Sequence, residues 1–119
     1  MSLRQRLRQL RTPVYDLDLE QLRKFCTDQP GVTPIAQVVP RQLSSVVGEI
    51  SSVRIVPRAG SPSLEATVSD GSGSLVIVWL GRRTIAGISP GRRLMITGRG
   101  GPSGPRGRLT LFNPDYELL

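Results

Sequence analysis

The last two-thirds of the chain contain five short segments in which apolar and β-branched residues recur at strand spacing. Residues that form turns separate these segments at short intervals. The predicted strands cover residues 46–56, 64–69, 75–80, 92–98 and 108–112. Residues 70–73 (DGSG) join the second and third as a tight hairpin, whereas residues 81–91 and 98–107 form longer links. This pattern excludes a helical bundle and favours an all-β fold.

The order of strands and links predicts a five-stranded OB-type Greek-key barrel with an N-terminal helical extension. That barrel typically has a tight hairpin between strands two and three. It also has a non-strand connection between strands three and four. An SH3-like small barrel is the structural alternative, although its strand lengths and links fit less well. Gly48 interrupts the first strand, where a glycine allows the sharp bend that closure of a small barrel requires.

Three regions are expected: a basic, flexible tail over residues 1–12, a helical extension and lead-in over 13–42, and the OB domain over 43–119. Apolar residues recur at helical spacing between Asp16 and Thr27, with acidic residues in the first turn, and Pro30 ends the helix. We expect Ile35 and Val38, in the lead-in, to cap one end of the barrel.

Histidine is absent from the 119 residues, which excludes imidazole acid–base catalysis and His-ligated metal sites. Cys26 is the single cysteine and can form neither an internal disulfide nor a thiolate cluster. We therefore expect a non-enzymatic protein with no cofactor and no metal. Since no apolar run approaches the roughly 18 residues of a membrane span, we expect no membrane contact and a cytoplasmic location, with nucleoid association as an alternative.

The net charge is +7, and 15 of the 16 basic residues are arginine. Residues 1–12, 13–40 and 41–119 carry +4, −2 and +5, so the positive charge lies in the tail and in the predicted barrel. A guanidinium group presents a planar fork of donors that suits phosphate oxygens. A GC-rich genome is an alternative explanation for arginine over lysine, but the net charge itself indicates an anionic partner.

Candidate binding residues lie on the elements that flank strands two and three, the face on which OB barrels bind oligonucleotides. They occur at the loop after strand one, after strand three and around the glycine-rich loop. These are Arg54, Arg58, Arg82, Arg83, Arg99, Arg106 and Arg108. A scattered, solvated basic surface is the simpler interpretation for any single arginine. For the set, clustering at the two flanking loops favours binding.

Four segments of the chain, taken in order, resemble the OB-fold wedge domain of RecG-type branch-migration helicases. They are GEISSVR (48–54), LEATVSDGSGSLVIVWL (64–80), PGRRLMITGR (90–99) and NPDYELL (113–119). The resemblance covers roughly residues 43–119. It is closer still to small stand-alone OB-fold proteins of actinobacteria, which share the WLGRR stretch at 79–83 and a comparable N-terminal extension.

This resemblance implies binding of single-stranded or branched DNA, in DNA repair or recombination. The helicase wedge stacks aromatic side chains on bases at and just after the end of strand three, where this chain has Leu80 and Thr84. The helicase motor is also absent from the sequence, so unwinding is not implied. We predict nucleic-acid binding that is largely independent of sequence, and the choice between DNA and RNA stays open.

A protein-interaction or assembly module is the alternative function. Alternation in the third strand predicts that Leu75, Ile77 and Trp79 face the core. The opposite face would then present an apolar patch of Val76, Val78 and Leu80, which could receive a protein partner, a second copy of the chain or the N-terminal helix.

Overall fold

The computed structural model describes residues 18–103 and 108–119. Residues 1–12, predicted as a basic tail, lie outside the described residues. The described part of helix α1 covers residues 18–27, and a short 3-10 helix covers Ile35–Gln37. The strands are β1 (Leu43–Arg58), β2 (Ser61–Ser69), β3 (Ser74–Leu80), β4 (Arg93–Arg99), β5 (Gly101–Ser103), β6 (Arg108–Phe112) and β7 (Asp115–Leu118).

The strands form one curled, barrel-like sheet in the order β5-β6-β3-β2-β1-β4-β7. All neighbouring strands are antiparallel except β3 and β6, which are parallel. The predicted all-β OB fold is confirmed, but the described residues form seven strands rather than five. The reason is that Gly100 separates β4 from β5, and Asn113 and Pro114 separate β6 from β7. Each of these pairs corresponds to one interrupted strand.

β1 passes from one partner strand to the other near Glu49, and its register with β2 shifts between Ile50 and Ser52. Its first half, up to Glu49, pairs with β4, and the part from Glu49 onward pairs with β2. Gly48 lies at this transition, and a Cβ atom there would overlap Cγ1 of Val68 and lie 3.0 Å from the carbonyl oxygen of Ser69. Only glycine therefore allows β1 and β2 to approach this closely.

The core lies on the concave side of the sheet. Leu75, Ile77 and Trp79 all belong to it, which confirms the predicted inward face of the third strand. Ile35 is buried in the same core and Val38 packs against it, so the lead-in covers one end of the barrel as predicted. Burial of these aliphatic and aromatic side chains is the main source of stability for such a fold.

The described part of helix α1 packs on β1 and β4 and reaches the turn between β2 and β3, where Nη2 of Arg23 donates a hydrogen bond to the carbonyl of Gly71 at 3.2 Å. Leu22 and Cys26 of α1 are buried against Val47 of β1. The guanidinium carbon of Arg93 lies 4.4 Å from the ring centroid of Phe25, a cation–π contact that joins the helix to β4. Within residues 18–103 and 108–119, no helix is long and apolar enough to cross a membrane.

Candidate functional site

The convex side of strands β1, β2, β3 and β6 faces away from the core, and we call it the outer face. Successive side chains of a strand point to opposite sides, and residues directly opposite on neighbouring strands share a side. The strand register therefore places four residues in one row across the outer face. From β1 to β6 they are Arg54, Glu65, Val78 and Phe112.

Glu65 is the centre of an ion cluster in this row. Its Oε1 accepts hydrogen bonds from Nε and Nη2 of Arg54 at 3.1 and 2.7 Å, and its Oε2 accepts one from Nη2 of Arg58 at 3.3 Å. The side chain of Glu65 is only 9% exposed, whereas those of Arg54 and Arg58 are 70% and 37% exposed. A buried carboxylate needs such partners, since desolvation of an unpaired charge is costly. Two of the predicted binding arginines thus share one internal anion.

Arg58 also covers part of the outer face. Its guanidinium carbon lies 5.6 Å from the ring centroid of Phe112 while Nη2 bonds Glu65. Val78 lies between Glu65 and Phe112 in the cross-strand row, so the guanidinium group spans it. This contact explains why Val78 is fully buried although it points away from the core.

The predicted apolar patch on the third strand is therefore wrong for both of its valines. Val78 is 0% exposed and Val76, which lies between Thr67 and Thr110 in the adjacent row, is 6% exposed. Leu80 alone matches the prediction, at 48% exposure. Alternation correctly assigned the valines to the outer side, but side chains from neighbouring strands cover them.

The structure brings four of the seven predicted arginines to the outer face or to its edge. Gly100 faces the core, since a Cβ atom there would meet Leu109 at 2.7 Å, so the neighbouring Arg99 faces outward. Arg108 is exposed and shares the outward side of β6 with Thr110 and Phe112. The four are Arg54, Arg58, Arg99 and Arg108.

Two further predicted arginines lie at one end of this face. Arg82 and Arg83 are exposed and follow directly after β3. The backbone amide of Gly81 donates a hydrogen bond to the carbonyl of Pro62 at 2.9 Å, which holds this segment beside the turn between β1 and β2. The seventh, Arg106, lies outside the described residues.

A groove of about 430 Å³ borders the outer face beside β6. Its lining residues are Arg41, Arg99, Gly100, Gly101, Pro102, Thr110 and Phe112. Phe112 is 47% exposed. Arg41 was not among the predicted binding residues, because it precedes β1 and lies in none of the predicted strands or flanking loops. Phe112 alternates with the core residue Leu111, so it lies on the outward side of β6 with Arg108.

Comparison with known proteins identifies a matching family and a solved structure of similar fold. A profile of the OB-fold nucleic acid binding domain family matches residues 45–119. A solved structure of RecG bound to a three-way DNA junction has a similar fold, with a TM-score of 0.60 at 19% sequence identity. The similar region covers 74% of this chain and 12% of the RecG chain, so the chain spans only a small part of that protein. A search of curated proteins found no match.

Proposed function

Because the chain belongs to the OB-fold nucleic acid binding domain family, we propose that it binds nucleic acid through the arginines of its outer face, largely independently of base sequence. The proposal is supported by the positions of Arg54, Arg58 and Arg108 on that face and of Arg99 at its edge, with Arg82 and Arg83 exposed after β3. Arginine is well suited to the task, since its fork of donors matches phosphate geometry.

The preferred ligand in this proposal is single-stranded or branched DNA, with RNA as the second possibility to be tested. The RecG structure of similar fold is bound to a three-way DNA junction, which supports a junction as one of the probes. DNA repair or recombination in the cytoplasm is the setting that we propose. In this proposal the chain acts as a binding module without catalysis.

A fluorescence-anisotropy titration tests the proposal directly. Labelled single-stranded DNA, duplex DNA, a three-way junction and single-stranded RNA are titrated with the full chain at two salt concentrations. We expect affinity to fall steeply with salt, with a slope of log K against log salt near −0.7 for each phosphate neutralised on a single strand. Absence of binding at low salt, or binding that salt does not weaken, would overturn the proposal.

Paired substitutions test where the nucleic acid binds. Replacing Arg82 and Arg83 by alanine removes two exposed charges at the end of the outer face, and should weaken binding to all sequences alike. The slope should become shallower by about 1.4, at about 0.7 for each lost contact. Lys24→Ala with Arg92→Ala is the matched control, because both residues are exposed and lie away from this face. Equal effects of the two pairs would show that only net charge matters.

The alternative of a protein-interaction module loses its main structural support. That alternative depended on an exposed apolar surface along the third strand, and Val76 and Val78 are buried. Leu80 by itself is an ordinary exposed side chain of the kind that most proteins carry. We therefore propose nucleic-acid binding alone.

A further inference from the structure

The groove beside β6 combines an exposed aromatic ring with two arginines, a combination found at sites that bind unpaired nucleotides. We propose that this groove holds one unpaired nucleotide, with its base stacked on Phe112 and its phosphate bound by Arg41 and Arg99. The inference rests on the proposed function and adds to it a subsite and a preference for unpaired bases.

Phe112 is suited to stacking by its position. It is 47% exposed, although it belongs to a strand whose alternate residues are buried. Arg58 lies over the ring at 5.6 Å from its centroid, and the exposed remainder of the residue borders the groove. A base that stacks on the ring would extend the Arg58–Phe112 contact. An aromatic side chain loses little conformational entropy in doing so, because it has only two side-chain torsions.

Hydrogen bonds hold the backbone of Arg41 and the guanidinium group of Arg99 beside the groove. The amide of Arg41 donates to the carbonyl of Gly100 at 2.7 Å, and Nη1 of Arg99 donates to the carbonyl of Arg41 at 3.3 Å. Arg41 has a φ of 71°, a conformation that non-glycine residues rarely adopt. The bond to Gly100 stabilises this conformation of Arg41 next to the interruption between β4 and β5. The bond from Arg99 restrains its guanidinium group, which reduces the entropy lost when that group binds a phosphate.

The charge and the size of the groove agree with a nucleotide. None of its lining residues is a carboxylate, and neither Arg41 nor Arg99 forms an ion pair within residues 18–103 and 108–119. Its volume of about 430 Å³ falls in the range of small-ligand sites, roughly 300 to 1,000 Å³. In a duplex, neighbouring base pairs cover both faces of a base, so only an unpaired base can stack on Phe112.

Gly101 offers a substitution that fills the groove without disturbing the fold. A Cβ atom at Gly101 would meet nothing within 4 Å, and the residue is a groove-lining position of β5 without a positive φ. Gly101→Val therefore adds bulk where we place the base and removes neither charge nor packing. A β-branched residue is also well tolerated in a strand.

The experiment compares wild type, Phe112→Ala, Phe112→Tyr and Gly101→Val, using a single-stranded oligonucleotide that carries one 2-aminopurine among thymines. Stacking on Phe112 should quench 2-aminopurine fluorescence in wild type and in Phe112→Tyr. Phe112→Ala and Gly101→Val should lose the quenching and bind the single strand roughly 5- to 150-fold more weakly, the value of one stacked base. Duplex DNA of the same length offers no unpaired base, so each of these two variants should weaken duplex binding less than single-strand binding.

The outcomes separate this inference from the proposed function. If wild type binds no nucleic acid, the proposed function fails and the inference fails with it. If wild type binds but Gly101→Val retains both affinity and quenching, the subsite is wrong while the proposed function stands. Gly101→Val keeps the test decisive even if Phe112→Ala unfolds, and thermal melting of each variant identifies that case.

Discussion

Replacing Glu65 by glutamine probes the ion cluster on which the outer face is built. Glutamine keeps the shape of the side chain but removes the negative charge, and one carboxylate oxygen becomes an NH₂ donor. In wild type, both oxygens of Glu65 accept hydrogen bonds, from Arg54 and from Arg58. In the variant, at least one arginine faces a donor in place of an acceptor, and both lose their counter-charge.

The expected loss follows from the burial of the three side chains. Breaking a fully buried ion pair costs about 3–5 kcal/mol, whereas an exposed pair contributes about 0–1 kcal/mol. Glu65 is 9% exposed, but Arg54 and Arg58 are 70% and 37% exposed and can regain contact with water. We therefore expect the free energy of unfolding to fall by about 2 kcal/mol. Arg54→Ala should cost less than about 1 kcal/mol, and Arg58→Ala about 2 kcal/mol because it also uncovers Val78.

Urea unfolding measured by the fluorescence of Trp79 provides the assay, since this single tryptophan is buried in the core. With a slope m of about 1–3 kcal/mol per molar urea, a loss of about 2 kcal/mol lowers the midpoint by roughly 0.7–2 M. Constant m among the variants would show that the native and unfolded states keep their compactness. The same proteins can be titrated with single-stranded DNA, for which Glu65→Gln should bind more tightly because the outer face loses an anion.

Two results would refute this reasoning. If the unfolding free energy of Glu65→Gln stays within about 0.5 kcal/mol of wild type, the range of ordinary surface substitutions, the carboxylate is not held as a buried counter-ion. If Arg54→Ala lowers the unfolding free energy as much as Arg58→Ala, then the exposure of an arginine side chain does not determine how much its ion pair with Glu65 stabilises the fold.

Two further predictions concern packing elsewhere in the fold. Gly48→Ala should lower the unfolding free energy by about 2–3 kcal/mol in the same urea assay, because the new methyl group overlaps Val68; a near-neutral result would show that β1 and β2 can separate at little cost. Burial, reinforced by the nearby Asp70 carboxylate, raises the pKa of the Cys26 thiol from 9.0 to about 11. The folded state therefore favours the neutral thiol, and this stabilisation is complete below pH 9 and is lost as the pH rises towards 11. Cys26→Ala should flatten that decline in midpoints measured from pH 8 to 11, and an unchanged slope would contradict the assignment.

Local patterns of the sequence are sufficient to predict the fold class. Strand periodicity and turn residues depend only on neighbours in the chain, so they placed the hairpin at residues 70–73 and the inward face of the third strand correctly. The predicted bend at Gly48 stays a prediction, whereas the close approach of β2 that excludes a Cβ atom there depends on strand pairing. The number of strands could not be predicted from local patterns. The interruption at Gly100 arises because β4 pairs with β1 whereas β5 pairs with β6.

Contacts across the sheet decide the surface, and no local pattern contains them. Alternation assigned Val78 to the outer side, yet its burial depends on Arg58, Glu65 and Phe112, which come from three other strands. Whether an outward side chain is exposed depends on strand register and on the reach of its cross-strand neighbours. The sequence by itself therefore determined a basic, OB-type chain. The tertiary structure decided which arginines are paired internally. It also brought Arg41, Arg99 and Phe112 together, because only the curl of the sheet places residues so distant in sequence along one groove.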